Sequence, residues 1–171
     1  MNDGVDENTV RACQGGDPSA YAGLVRRHYR HVFALCLGLL ANVHDAEDVA
    51  QDTMLKGLQG IRRLARPGQF EPWILRIARN LCVDLLRRRK RIKVHAAEPE
   101  AVPPPDSAAG HDLEQALRRL PQELRLPLTL FYFEHKDAGS IAKLLDISPS
   151  LTYDRLRAAR QELRKLLTER G

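Results

Sequence analysis

Apolar side chains recur every three or four residues through most of this chain, which is the period of an amphipathic α-helix. The first such segment starts at Asp17-Pro18, an N-cap followed by a proline in the first turn, and continues to about Leu40. The positions that share one face of this predicted helix are Tyr21, Leu24, Val25, His28, Val32, Leu35 and Leu39.

Two further helices are predicted before residue 92. Asp45 is placed to cap the second helix, and Pro67-Gly68 interrupts the chain after it. Pro72 then stands in the first turn of the third helix, where proline is tolerated. The apolar face of the second helix is Ala46, Val49, Ala50, Met54, Leu58 and Ile61. The apolar face of the third is Trp73, Ile74, Ile77, Ala78, Leu81 and Leu85.

Residues 93–111 differ from the rest of the chain. They are rich in proline and alanine, lack a helical period, and include consecutive prolines at 103–105. This composition is typical of an extended linker. It divides the chain into a domain over residues 1–92 and a second domain over residues 112–171.

The second domain is also predicted to be helical. Asp112 opens a helix that runs through Leu120, and Pro121 starts another that reaches about Glu134, with a kink or a break expected at Pro127. After these come a short helix over 138–145, a turn over 146–148, and a final helix that ends at about residue 167.

Two short helices joined by a tight turn, the second longer and rich in arginine, are typical of a helix-turn-helix. The sequence therefore predicts an all-α fold. It consists of a three- or four-helix domain and a helix-turn-helix domain, joined by a flexible linker.

Composition narrows the classes of function. Hydrophobic residues make up 43% of the 171 residues and the net charge is +5, which fits a packed protein with a nucleic-acid partner but does not require one. Cys13, Cys36 and Cys82 are too widely spaced for a disulfide framework or a cysteine-rich zinc site. The start of the chain is polar and no apolar run reaches the roughly 18 residues of a membrane span. We expect a cytoplasmic protein without membrane insertion.

The third predicted helix carries a basic stripe opposite its apolar face. Its members follow one another at spacings of three or four residues, and further arginines widen its C-terminal end. They are Arg76, Arg79, Asn80, Val83, Arg87 and Lys90, with Arg88, Arg89 and Arg91 beside them. Such a stripe can follow a phosphate backbone, and Arg and Asn can read base edges. A solvated face with arginines placed by the helix dipole is the alternative, and this helix alone leaves both open.

The second predicted helix has the opposite charge. Its outer face carries Glu47, Asp48, Gln51 and Asp52. The helix dipole accounts for acidic residues in the first turn, but less well for Gln51 and Asp52. An acidic face beside a basic stripe suggests two partners, a basic protein surface and DNA.

Two further segments are candidates for contact with nucleic acid. The loop between the second and third helices holds Arg62, Arg63, Arg66 and Phe70. It could cup an unstacked base, or it could be a basic surface loop with Phe70 buried. The last helix begins with residues suited to reading base edges, and these are Ser150, Leu151, Tyr153, Asp154, Arg155 and Arg157, followed by Arg160. Asp154 is unfavourable near phosphates unless it accepts from a cytosine amine or pairs with an arginine.

Catalytic motifs are not evident. The chain has no phosphate-binding glycine loop, no HExxH and no GxSxG. His28 and His31 are three residues apart on a helix, but the sequence presents no third or fourth ligand. We therefore expect no enzymatic activity, no cofactor and no metal.

Five segments together resemble a known family. Residues 16–29 (GDPSAYAGLVRRHY), 45–58 (DAEDVAQDTMLKGL) and 70–91 (FEPWILRIARNLCVDLLRRRKR) are similar to the second conserved region of extracytoplasmic-function (ECF) sigma factors. Residues 113–134 (LEQALRRLPQELRLPLTLFYFE) and 141–167 (IAKLLDISPSLTYDRLRAARQELRKLL) are similar to their fourth region. The segments come in the family's order on either side of the linker.

The resemblance implies bacterial core RNA polymerase and promoter DNA as partners, with an anti-sigma factor as regulator. The helix from residue 45 would bind the clamp helices of the β′ subunit, with further contacts to the β subunit, and its residues are Asp45, Glu47, Asp48, Gln51 and Asp52. The −10 element would be recognised by Arg62, Arg63, Arg66, Phe70, Arg76, Arg79, Asn80, Arg87 and Arg88. The −35 element would be read by Ser150, Leu151, Tyr153, Asp154, Arg155, Arg157 and Arg160. The linker would run toward the RNA exit path.

Three departures from the family pattern bear on the −35 contacts. Ser140 stands where the family often has Glu, and Ala158 replaces a customary Arg. Residues 150–156 read Ser-Leu-Thr-Tyr-Asp-Arg-Leu where Gly-Thr-Val-Lys-Ser-Arg-Leu is usual. They suggest an unusual sequence preference. Two other functions remain open: a sigma mimic that occupies an anti-sigma factor, and a stand-alone helix-turn-helix regulator, which would need a dimer interface.

Overall fold

The computed structural model describes residues 3–95, 108–134 and 137–168, which fold into eight α-helices without a β-strand. The helices are α1 (Asp3–Gln14), α2 (Tyr21–Leu40), α3 (Val43–Gly60), α4 (Phe70–His95), α5 (Ala108–Arg119), α6 (Gln122–Glu134), α7 (Ala138–Leu145) and α8 (Pro149–Thr168). The all-α prediction is confirmed. We call α1–α4 the N-terminal unit and α5–α8 the C-terminal unit.

The caps around α2 and α3 explain where these helices begin and end. Asp17 accepts a hydrogen bond from the Ser19 backbone N–H at 2.9 Å and starts the short 3₁₀ turn that leads into α2, as predicted. Ala41 ends α2 in the left-handed conformation, with φ of 55°. The prediction that Asp45 caps the next helix is wrong. Asn42 has the extended backbone of a cap and accepts from the Asp45 N–H at 2.8 Å, so Asp45 lies in the first turn.

Helix α1 was not predicted from the sequence. Its inward face consists of Asp6, Val10 and Cys13, of which Val10 is completely buried. Gln14 fixes the end of α1 by donating to the carbonyls of Ile61 and Leu64 at 3.0 and 2.9 Å. This face has few apolar positions and includes a charged residue. The hydrophobic pattern that identified the other helices therefore does not extend far enough along α1 to predict it.

The C-terminal half of α2 is buried on all sides. Every residue from Ala34 to Ala41 is buried, because this half lies between α3 and α4 on one side and α6 on the other. Gly38 allows the closest approach: a Cβ there would lie 2.6 Å from side-chain atoms of Leu126 and Thr129. The two units therefore pack directly against each other through α2 and α6, a contact that the sequence did not reveal.

A buried arginine holds this contact. Arg125 on α6 donates Nε to the Gly38 carbonyl at 2.9 Å and Nη1 to the carbonyls of Leu117 and Leu120 at 3.0 and 3.1 Å. Its Nη2 reaches the Leu39 carbonyl at 3.4 Å. These carbonyls belong to the C-terminal ends of α2 and α5, which lack helical partners and carry partial negative charge. One guanidinium thus satisfies acceptors from both units, although burial lowers the pKa of Arg125.

The remaining sequence predictions for the C-terminal unit hold with two corrections. The helix-turn-helix is confirmed, with Asp146 left-handed at φ 55° between α7 and α8. Of the kink or break expected at Pro127, the break does not occur: α6 continues through it, because proline removes only the one hydrogen bond to Glu123 and the following residues 128–130 are buried. The predicted linker is helical at both ends, since α4 continues to His95 and α5 begins at Ala108, not at Asp112 as predicted. Residues 96–107 of that linker lie outside the described residues.

We predict that Arg125→Met lowers the free energy of unfolding by about 2–4 kcal/mol, because several buried carbonyls lose their donor. Urea denaturation of the full chain measures this effect. Arg119→Met, an exposed arginine of α5, is the matched control and should change stability by less than about 0.5 kcal/mol. Equal stability of the two variants would show that the Arg125 hydrogen bonds contribute no net stabilisation.

Candidate nucleic-acid and protein-binding surfaces

The basic stripe of α4 lies on the surface of the N-terminal unit. Its exposed members are Arg76, Arg79, Asn80, Arg87, Arg88 and Lys90. The loop that enters α4 carries Arg62, Arg63 and Arg66, which are also exposed. Because this loop leads directly into Phe70 at the start of α4, its three guanidinium groups extend the basic surface beyond the N-terminal end of the stripe.

Phe70 is a core residue, which agrees with the interpretation of this segment as a basic surface loop with Phe70 buried. Its side chain is 0% exposed. Its ring centroid lies 6.4 Å from that of Tyr21, 5.1 Å from that of His28 and 5.8 Å from that of Trp73. In this structure Phe70 therefore cannot stack on a base, contrary to its place among the predicted −10 contacts. It anchors the point where the basic loop becomes α4.

All four residues of the acidic face of α3 are exposed, as predicted. These are Glu47, Asp48, Gln51 and Asp52. Tyr29 on α2 lies near them, and burial together with the charges of Glu47 and Asp48 raises the pKa of its hydroxyl. The carboxylates thus concentrate negative potential on one side of the N-terminal unit.

Asp45 has a different environment from the other acidic residues. Both of its carboxylate oxygens accept from the guanidinium of Arg89, at 2.5 and 2.8 Å. Only 16% of the Asp45 side chain is exposed. This bidentate pair joins the start of α3 to the C-terminal part of α4. The charge of Arg89 is neutralised by this pair and does not add to the basic stripe. The main structural role of Asp45 is therefore to link α3 and α4.

The N-terminal part of α8 is open to solvent. Ser150, Leu151, Tyr153, Asp154 and Arg157 are exposed, with Tyr153 at 65% and Leu151 at 40%, whereas Arg155 is half-buried. Asp154 lies 3.7 Å from Arg157. Both side chains are mostly exposed, so this pair contributes little to stability, but it partly neutralises the carboxylate that the sequence analysis found unfavourable near phosphates.

Two residues of the C-terminal unit have roles that the sequence did not indicate. The Arg160 guanidinium carbon lies 4.9 Å from the centroid of the Phe131 ring and 5.9 Å from that of Tyr132, so this predicted −35 contact packs on α6 as a cation–π pair. Ser140, where the family often has Glu, donates its hydroxyl to Asp137 at 2.7 Å while its N–H bonds the other carboxylate oxygen. Asp137 is the N-cap of α7, and Ser140 therefore supports the start of the helix-turn-helix.

Cys13, Cys36 and Cys82 are buried free thiols. Hydrogen bonding to Cys82 and burial raise the pKa of the Cys36 thiol, which keeps it protonated. They are packing residues of the N-terminal unit.

Two family models match parts of this chain. Residues 24–92 match the family model "Sigma-70 region 2", and residues 110–163 match "Sigma-70, region 4". The ECF RNA polymerase sigma factor SigE of Mycolicibacterium smegmatis is 35% identical over 85% of this chain, which spans 61% of the length of that relative. The RNA polymerase sigma factor CarQ of Myxococcus xanthus is 31% identical, with 90% of this chain and 92% of CarQ covered.

The solved structure of the sigma factor RpoE in complex with the anti-sigma factor NepR, from Bartonella quintana, has the same fold. It superposes with a TM-score of 0.65 at 21% identity, covering 86% of this chain and 96% of RpoE. The matched regions, their order and the relatives establish the class: the chain belongs to the ECF sigma factor family. Sigma factors are initiation factors of transcription.

We predict that Phe70→Ala lowers the free energy of unfolding by about 3–5 kcal/mol, because it removes a fully buried ring from the core. Thermal or urea unfolding of the full chain, without DNA, provides the measurement. Leu55→Ala serves as control, since Leu55 is 59% exposed on α3. If Phe70→Ala is as stable as the Leu55 variant, Phe70 is not an anchor of the core.

Proposed function

We propose that this chain is an alternative sigma factor. It binds bacterial core RNA polymerase, recognises the −10 and −35 elements of a specific set of promoters, and initiates transcription from them. The observation that carries this proposal is the separation of charge within the N-terminal unit. An exposed acidic face on α3 and an exposed basic stripe on α4 belong to one small domain, and such a domain is suited to binding a protein and DNA at the same time.

The acidic face is the proposed binding surface for the clamp helices of the polymerase β′ subunit. Glu47, Asp48, Gln51 and Asp52 would form ion pairs and hydrogen bonds with basic side chains of that subunit. Asp45 holds α3 in position through Arg89, and we propose that it orients this face in addition to any direct contact. Contacts with the β subunit would follow from the C-terminal unit.

The basic surface of α4 is the proposed site for the −10 element. The arginines from Arg76 to Arg88 follow the backbone, and Asn80 offers both a donor and an acceptor to a base edge. Arg62, Arg63 and Arg66 would hold the backbone next to an unstacked base. Phe70 would contribute indirectly, because its buried ring anchors the end of the loop that carries Arg62, Arg63 and Arg66.

The exposed start of α8 is the proposed reader of the −35 element in the major groove. Leu151 and Tyr153 present apolar surface there, which suits contact with thymine methyl groups, while Arg157 can reach a guanine or a phosphate. Asp154 next to Arg157 favours a cytosine amine at the neighbouring position. This combination supports a −35 preference different from that of relatives with lysine at the position of Tyr153 and serine at that of Asp154.

A sigma factor acts in the cytoplasm, and we propose that location together with control by an anti-sigma factor. A relative of the same fold, RpoE, has been solved in complex with the anti-sigma factor NepR. Within the described ranges, none of the helices has the length and apolar character needed to span a membrane. The linker at 93–111 would run toward the RNA exit path of the polymerase.

Run-off transcription tests the proposal directly. The purified full chain is combined with bacterial core RNA polymerase and a fragmented genomic library from the source organism. We expect new discrete transcripts whose upstream regions share two elements. Failure to bind core polymerase would reject the proposal and favour a sigma mimic that binds an anti-sigma factor.

We predict that Asp48→Lys with Asp52→Lys weakens binding to core polymerase by at least about tenfold, since two attractive charges become repulsive. Fluorescence anisotropy of the labelled chain with core polymerase measures the affinity. Glu123→Lys with Asp112→Lys makes the same charge change on exposed positions of the C-terminal unit and should bind as the unmodified chain does. Unchanged affinity of the α3 variant, with the fold intact by circular dichroism, would exclude this surface.

We predict that Arg76→Ala with Arg87→Ala reduces the dependence of promoter binding on salt. Each lost phosphate contact lowers the slope of log K against log[salt] by about 0.9, so the expected decrease is up to about two. The measurement is promoter binding by the assembled holoenzyme over a salt series. Arg26→Ala with Arg30→Ala, on the exposed side of α2, is the matched control. An unaltered slope in the α4 variant would mean that these arginines do not contact phosphates.

A further inference from the structure

Three potential metal ligands meet where α2 passes the start of α4. His28 and His31 lie on the same face of α2, and Glu71 is the second residue of α4. One ligand atom from each of the three residues lies within 4.8 Å of the others. The His31 Nδ1 and Glu71 Oε1 atoms are 3.3 Å apart, which is about the separation of two ligands on a tetrahedral zinc ion bound at roughly 2.0–2.1 Å. The sequence showed only the two histidines, because Glu71 is distant along the chain.

The hydrogen bonding of His28 prepares it for ligation. Its ring is 4% exposed, and its Nε2 donates to the Asp6 carboxylate at 2.8 Å. Arg27 Nη1 forms an ion pair with the other carboxylate oxygen, 3.2 Å away. With the proton on Nε2, the lone pair of His28 is on Nδ1, and this buried nitrogen has no hydrogen-bond partner. Histidines that bind metal ions in proteins commonly donate one ring N–H to a carboxylate and bind the ion with the other ring nitrogen.

We propose that His28, His31 and Glu71 bind a divalent first-row transition-metal ion, with Zn²⁺ as the best-matched species, and that Asp6 orients His28 for this purpose. Two imidazole nitrogens and one carboxylate oxygen suit zinc and its neighbours, and they are a poor match for Mg²⁺ or Ca²⁺, which prefer oxygen ligands. The side chains of His31 and Glu71 are 26% and 35% exposed, which gives an ion and a water ligand access from solvent.

The position of the site defines what a bound ion would do. Its ligands join α2 to the first turn of α4, and Asp6 adds α1. Phe70, next to Glu71, packs its ring 5.1 Å from that of His28. The ion therefore braces the junction between the basic loop and α4, and its binding stabilises the N-terminal unit in proportion to its free concentration. This inference does not depend on the proposed role in transcription, because it concerns the chain alone.

Metal titration of the full chain is the test. The protein is stripped with EDTA and dialysed, then titrated with Zn²⁺ by calorimetry and with Co²⁺ by absorption spectroscopy. We expect one Zn²⁺ per chain and visible Co²⁺ bands of a four- or five-coordinate ion. His31→Ala and Glu71→Gln, whose side chains are partly exposed, should abolish both signals without unfolding the chain. Asp6→Asn should weaken Zn²⁺ binding by about 10- to 100-fold.

The controls are His44→Ala and Glu123→Gln, which change an exposed histidine and an exposed glutamate elsewhere. Both should bind Zn²⁺ as the unmodified chain does. Zn²⁺ should also raise the melting temperature of the unmodified chain and leave that of Glu71→Gln unchanged. The proposal is overturned if no stoichiometric ion binds, or if the His31 and Glu71 variants bind and respond to Zn²⁺ like the controls.

Discussion

Burial of the C-terminal half of α2 is the constraint on which the rest of the structure depends. This segment is covered by α3 and α4 on one side and by α6 on the other, so it serves as the core of the N-terminal unit and as the contact surface for the C-terminal unit. A helix buried on all sides must end where its last carbonyls find donors. Those donors are the Ala41 N–H, which bonds the Leu37 carbonyl, and the buried guanidinium of Arg125.

One ion pair joins the two helices that carry the opposite charges. Asp45 and Arg89 neutralise each other where α3 and α4 meet, while Glu47, Asp48 and Asp52 of α3 and Arg76, Arg79 and Arg87 of α4 are exposed. The arrangement lets a protein-binding face and a nucleic-acid-binding face share a domain of four helices.

The sequence predicts helices well where the hydrophobic period is long. The bounds of α7 and α8 and the end of α2 were predicted to within a residue or two, because these helices have regular apolar faces. Helix α2 begins at Tyr21, since the predicted first turn at Pro18 is a 3₁₀ turn. Helix α1 was missed, since its inward face contains Asp6 and only a few apolar residues. Asp45 was wrongly taken as a cap because Asn42, an equally good cap, stands three residues earlier.

The surfaces were less predictable than the helices, because tertiary contacts decide which side chains are available. Exposure of the α3 acidic residues and the α4 arginines follows from periodicity alone. Burial of Phe70, stacking of Arg160 on Phe131 and the approach of Glu71 to His28 and His31 depend on how distant segments pack. The role of Arg125 likewise depends on carbonyls of α2 that no pattern in α6 could indicate.

The Arg125 contact also allows the chain to distinguish partners by the conformation they require. A partner that binds the two units as they pack here leaves the hydrogen bonds of Arg125 and the close approach at Gly38 intact. A partner that needs the units apart must supply the free energy of that interface. The apparent affinity of such a partner falls tenfold for about every 1.4 kcal/mol by which the interface stabilises the packed arrangement. The stability of the α2–α6 contact thus changes the ratio of affinities for these two kinds of partner, although the surfaces that bind them stay the same.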